Sequence, residues 1–351
     1  MKRTRGRHRP GFTLVELLVS MALIVFILVV LSEAFAQALD TFRQLKAIGD
    51  MEGRLRSAVT LLRRDIAADH FEGKRRLSDW NIFIPSQGFF CVWQGPQTAD
   101  PSMTEGDDGD RITSRRRTDH ILHMAVKLRG NDPQNMFSAP IGGPAATLLP
   151  DARFTRSPGV LNSQWAEVAY FLVKTGTTAS PFDETATAGT PLYALYRAEW
   201  VVVPGNLYIP PTVPLSPYIS STNGRPNTPF DLAGATNNGI PPRRAFNPLQ
   251  APRTLAQVPP AASAILTDVV SFDITVQFRD VGTGVLYMND FADVPWPAIP
   301  GQPYPTHWDS SYARGSPNAS NNFCILGIQI VLRIWDVKTQ LTRQVTIVED
   351  T

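Results

Sequence analysis

The chain has two cysteines and five histidines among 351 residues. Two cysteines cannot build a disulfide framework, and no Cys-x-x-Cys pair exists, so a stapled secreted fold and a zinc ribbon are both excluded. Gly-x-Ser-x-Gly, His-Glu-x-x-His and Walker sequences are absent as well, which leaves no recognisable nucleophile, metal or phosphate motif and argues against an enzyme. Charge is scarce at one place in particular. From Phe12 to Ser32 the only charged side chain is Glu16. The chain holds 30 prolines, yet none falls between Phe12 and Phe71, so nothing in that stretch interrupts a helix.

Twenty-one residues at about 1.5 Å each make a helix of roughly 31 Å, enough to cross a bilayer core. Lys2, Arg3, Arg5, Arg7 and Arg9 precede it, and a basic cluster beside a span stays on the cytoplasmic side, so the bulk of the chain faces outward. A secretory signal peptide is the competing reading, because Ala34 and Ala36 follow the apolar run. Two features oppose it. A carboxylate inside a span is costly and is by default a functional residue with a partner, which a cleaved signal does not need. The helical pattern also continues, with Phe35, Leu39, Phe42, Leu45, Ile48, Leu55, Leu62 and Ile66 at steps of three, four and seven. Gly49 and Gly53 weaken this helix and mark a bend or a close contact. A helix reaching about Asp69 outruns any bilayer, so its second half packs on something else.

The segment Gly11-Phe12-Thr13-Leu14-Val15-Glu16-Leu17-Leu18-Val19, set behind a basic leader and heading a long apolar run, resembles the type IV prepilin family, including the pseudopilins of type II secretion systems. The resemblance covers about the first 60 residues. It implies that a prepilin peptidase cuts between Gly11 and Phe12, that Phe12 becomes an N-methylated N-terminus, and that Glu16 is the fifth mature residue and pairs with the Phe12 amine of a neighbouring subunit during assembly. Losing the leader takes the formal charge from +2 to about −3, so net charge predicts no nucleic-acid partner. The implied partners are the peptidase, the inner membrane and other minor and major subunits.

The expected fold class is α+β and pilin-like: a leader at 1–11, a transmembrane helix half at 12–32, an amphipathic half at 33–71, and an antiparallel β-rich periplasmic domain at 72–351. Strands are expected at 119–128, 165–174, 191–203 and 269–279, with a closing hairpin of 324–337 and 340–348. Alternation predicts one packed face, covered by the helix, and one wet face. Residues 204–260 hold 13 prolines and read as a surface loop insert. A second Pro-rich run, 295–305, brings Trp296, Tyr304, Trp308 and Tyr312 near one another in sequence as a candidate docking surface. A weaker resemblance, to J-type minor pseudopilins and W-type minor pilins, rests on Leu61-Leu62-Arg63-Arg64-Asp65-Ile66, on Val168-Ala169-Tyr170-Phe171 and on Leu192-Tyr193-Ala194-Leu195-Tyr196-Arg197.

Three further groups of residues leave alternatives open. Cys91 and Cys324 lie in apolar surroundings and are either a disulfide or two buried thiols. His120 and His123 fall on one predicted strand, three apart, and so on opposite faces, which argues against a shared metal. Glu105-Gly106-Asp107-Asp108-Gly109-Asp110 clusters oxygens as a Ca²⁺ loop does, yet lacks the EF-hand order, which favours a solvated acidic loop; no other cofactor is implied. Two function classes remain. One is a structural subunit, a minor pseudopilin or pilin held by its N-terminal helix. The other is a membrane-anchored envelope binding protein whose β domain captures a ligand.

Overall fold

A computed structural model describes residues 13–350 apart from 74, 80–84, 95–103, 108–112, 116, 131, 133–134, 142–158, 179–188, 204–214, 235–241, 253, 281–283, 290–306, 312–322 and 338–340. The chain forms two units, residues 1–52 and 53–351. Helix α1, Leu14–Ile66, contributes to both. In the first unit its apolar side chains from Leu14 to Leu31 are exposed, as are Phe35, Leu39, Phe42 and Leu45.

Among the described residues the second unit has fifteen strands: β1 Phe90–Trp93, β2 Thr104–Asp107, β3 Thr113–Arg115, β4 Ile121–Lys127, β5 Phe137–Pro140, β6 Val160–Ser163, β7 Trp165–Thr177, β8 Pro191–Val201, β9 Ser221–Thr222, β10 Arg225–Pro226, β11 Ala262–Asp280, β12 Leu286–Asn289, β13 His307–Asp309, β14 Phe323–Asp336 and β15 Leu341–Asp350. Nine of them make one sheet in the order β13-β1-β4-β7-β8-β11-β14-β15, with β12 added beside β11. The pairings β4·β7, β7·β8, β11·β14 and β14·β15 are antiparallel. The strands expected from alternation are all present, and the one expected at 269–279 is longer, starting at Ala262 and carrying two irregularities where it meets β8.

Residues 53–66 of α1 bury Leu55, Ala58, Leu62 and Ile66, a single stripe at helical spacing. Their polar neighbours reach across the sheet. Arg54 bonds Thr267 and Asp268 on β11, Arg63 meets Glu349 on β15 at 2.9 Å, and Asp65 meets Tyr170 on β7 and Arg197 on β8. Asp268 takes a left-handed φ of 58° there.

The helix stops at Ile66, short of the expected 71. His70 folds back, placing Nε2 at 2.9 Å from the Ile66 carbonyl and Nδ1 at 2.7 Å from the Ala125 carbonyl, while Asp69 and Phe71 become single bridges to Lys127 and Gly88. Sheet pairing outcompetes another helical turn. Gly88 is required at this junction: its φ is +75°, and a Cβ there would stand 2.0 Å from the His70 carbonyl oxygen.

The expected wet face is kept on β15, where most side chains are exposed, but not over the middle of the sheet. β4 is buried along Ile121–Val126 and β7 along Trp165–Val173, on both faces. The second face is covered by the Pro-rich segment itself, which corrects its reading as a surface loop. Its described residues form the β9/β10 hairpin, helix α2 at Pro229–Ala233 and two 3-10 turns, and Ile219, Leu232, Ala233 and Phe246 are buried. Phe246 enters a core cluster with Ile121, Ala169, Phe171, Val173, Ala198 and Trp200. Proline does not prevent this, because the segment docks through side chains and a few main-chain donors without joining the large sheet as a central strand.

Cys91 on β1 and Cys324 on β14 are free buried thiols, the second of the two alternatives. Four strands stand between theirs in the sheet, and a disulfide needs Cα atoms within about 7 Å. Burial pushes the Cys91 thiol pKa well up. Trp308 is buried in β13, whereas Trp296, Tyr304, Tyr312 and the 295–305 run lie outside the described residues, as does Asp108–Asp110 of the acidic segment. Among the described residues no group of three His, Cys, Asp or Glu side chains is arranged to hold a metal ion.

Candidate assembly and processing site

Gly11 and Phe12 lie outside the described residues; the site is visible from Thr13 onward. Thr13 caps α1. Glu16 Oε2 accepts from both the Thr13 backbone N–H and the Thr13 hydroxyl at 3.0 Å, and the Glu16 N–H donates to Thr13 Oγ1 at 3.3 Å. This is a reciprocal capping box, and it sets a carboxylate at the positive end of the helix macrodipole. The Thr-x-x-Glu spacing was the available signal, overlooked because the apolar run dominates the segment. Glu16 Oε1 makes no hydrogen bond among the described residues, so the box fixes the side chain and leaves one oxygen to receive a donor. Behind it, α1 is long and apolar enough to cross a membrane, with a mean hydropathy of 3.1 over its most apolar window.

A second polar constellation fastens the other end of α1. Asp65 is fully buried. Its Oδ2 accepts from Tyr170 Oη at 2.7 Å and Arg197 Nε at 2.6 Å, and its Oδ1 accepts from Arg64 Nη2 at 2.9 Å. Arg197 also donates to Glu199. Burial lifts the Tyr170 pKa, and the Asp65 charge adds to it. For Arg197 burial works the other way, but the charges of Asp65 and Glu199 outweigh it and raise its pKa. Both groups keep their protons. The three short sequence stretches behind the weaker family resemblance therefore converge on one buried cluster that joins helix to sheet.

A third cluster holds the Pro-rich cover in place. Buried Glu167 on β7 accepts from the backbone N–H groups of Ala245 and Phe246 at 3.0 and 2.9 Å, from Ser220 Oγ at 2.5 Å, and from His123 Nε2 at 3.0 Å. Burial alone would raise its pKa; the hydrogen bonds and local charge outweigh that, and the carboxyl stays below its usual range. Burial lowers the pKa of His123, which is neutral and donates from Nε2, with Nδ1 left without a partner among the described residues. Arg244 completes the cluster, donating to both carboxylate oxygens of Asp309 at 2.6 and 3.0 Å and lying 3.6 Å from the Phe89 ring centroid. His123 and His120 serve separate partners, since His120 precedes β4 and its Nδ1 accepts from the Ile274 N–H at 2.9 Å.

Residues 6–32 match the model of the prokaryotic N-terminal methylation motif. No curated protein and no solved structure matches the chain significantly. The motif, the apolar helix behind it and the antiparallel β domain together support a protein of the type IV prepilin and pseudopilin class. Such a motif points to a structural subunit rather than an enzyme, to processing by a prepilin peptidase and to membrane anchoring through α1.

Proposed function

We propose that the chain is a minor pseudopilin or minor pilin, a single-pass inner-membrane subunit with a periplasmic β domain. It is cut between Gly11 and Phe12, methylated on Phe12, and drawn into a short envelope filament through α1. One observation carries the reading: the methylation motif heads a 53-residue helix whose far end is locked into the β domain by the buried Asp65 cluster. The buried cluster ties the last turn of α1 to the sheet, a joint that suits a structural subunit. Cleavage removes five leader cations and leaves an amine at Phe12. Glu16, with Oε1 unoccupied, is the acceptor for the Phe12 amine of a neighbouring subunit, because each charge would be costly to bury alone. The exposed Phe35, Leu39, Phe42 and Leu45 give the same helix an apolar surface for partner helices.

Glu16→Ala tests this. Insertion and cleavage are expected to be unchanged while co-purification with partner subunits falls; equal recovery of partners with mutant and wild type would refute the pairing.

A further inference from the structure

A cavity of about 560 Å³ opens where α1 ends, lined by Ile66–His70, by Arg75, Arg76 and Leu77 of the following loop, by Arg129 beyond β4 and by Asp350 at the end of β15. Its size suits a small ligand. Two of its guanidinium groups are fixed in advance. Arg129 is held by Asp69 through Nε at 2.5 Å and Nη2 at 2.6 Å, which leaves its Nη1 end uncommitted. Arg75 is held by Glu72 at 3.2 Å, and Glu72 is itself fixed by the N–H groups of Ser86 and Gln87 at 3.1 and 2.9 Å. Each of these arginines keeps donors to spare, because a guanidinium has five N–H groups.

Besides Asp69, which is committed to Arg129, two further charged residues line the cavity, and they differ. Neither Arg76 nor Asp350 has a side-chain partner among the described residues, and they are not paired with each other although both line the same cavity. Opposite charges facing one cavity unpaired match a ligand that bears both signs. A simple anion would meet the Asp350 carboxylate, and a simple cation would meet three guanidinium groups; a zwitterion satisfies both walls, with its carboxylate on Arg76 and the spare donors of Arg75 and Arg129 and its ammonium on Asp350.

We propose that this cavity is a binding site for a zwitterion of the amino-acid class, a free amino acid or a short peptide with both termini charged. The site is independent of the filament reading and stands or falls apart from it.

Isothermal titration of the full chain in detergent with alanine, with alanyl-alanine and with N-acetylalanine methylamide tests it, with acetate, inorganic phosphate and methylammonium as single-charge probes. Saturable binding of a charged alanine probe is expected, without binding of the blocked compound, and the better of the two distinguishes amino acid from peptide. Arg76→Gln and Asp350→Asn are each expected to weaken it by about tenfold or more. Both positions are exposed, so both variants are expected to melt as wild type does. Absence of saturable binding would overturn the proposal. So would equal binding of acetate or phosphate that Asp350→Asn strengthens, the behaviour of a plain anion site.

Discussion

Replacing Arg197 by Met isolates the contact that fixes α1 to the sheet. Asp65 is fully buried and Arg197 is 8% exposed, so the pair is barely screened by water. Losing the guanidinium leaves the Asp65 carboxylate with Tyr170 and the half-exposed Arg64, and breaking a buried ion pair from one side costs about 3–5 kcal/mol. Asp65→Asn is expected to cost a similar amount, because it strands Arg197 beside Glu199 alone. Tyr170→Phe removes one hydrogen bond to a charge and is expected to cost about 1.5–3 kcal/mol. The double variant Asp65→Leu with Arg197→Met is the discriminating member. If the pair specifies the joint while contributing little net stability, the double variant recovers most of the loss, since well-packed apolar replacements of buried ion pairs are often neutral. Urea unfolding of the full chain in detergent, followed by tryptophan fluorescence, gives the four values. A single-variant loss below about 1 kcal/mol, or a double variant showing the full sum of the two, would refute the reasoning.

Two other expectations concern the sheet. Gly88→Ala puts a Cβ 2.0 Å from the His70 carbonyl at a left-handed φ, so it is expected to cost at least about 2 kcal/mol and to speed hydrogen exchange at Lys127, whose N–H is bonded to Asp69 beside that bridge; unchanged exchange would contradict the packing described. Burial, with the charge of Arg117 adding to it, pushes the His120 pKa down to about 3. Its Nδ1 lone pair accepts the Ile274 N–H, which outweighs the nearby Asp273 oxygen at 3.3 Å as a guide to its charge. Since the folded pKa lies below the unfolded one of about 6.5, the unfolded state takes up this proton first. Stability is expected to fall by about 1.4 kcal/mol per pH unit from this group as pH drops from about 6.5 towards 3. His120→Asn should flatten that slope by one proton, and an identical slope would rule the assignment out.

The parts of the molecule that announce themselves in sequence are those with a period. The apolar run and its continuation to Ile66 give α1, and alternation gives β4, β7, β8, β11 and the β14/β15 hairpin. What alternation cannot say is what covers each face. Glu167, His123 and Arg197 occupy polar positions in alternating strands and so read as solvent-facing; each is buried because a partner from far along the chain satisfies it. The Pro-rich segment carries no period at all, and its docking depends on the main-chain donors of Ala245 and Phe246 and on the Arg244–Asp309 pair, which only the folded chain brings together. Asp65, Tyr170 and Arg197 were visible as fragments of a motif, but not as members of one cluster, since 105 and 27 positions separate them.

A filament subunit of this class must be processed at its N-terminus, and mass spectrometry of the N-terminal peptide, taken from cells with and without an active prepilin peptidase, tests that most directly. A peptide beginning at N-methylated Phe12 in the first cells and an uncut leader in the second is the predicted result. An intact Met1 in both, or a cut after Ala36, would contradict it and leave an anchored or secreted binding protein in place of a filament subunit.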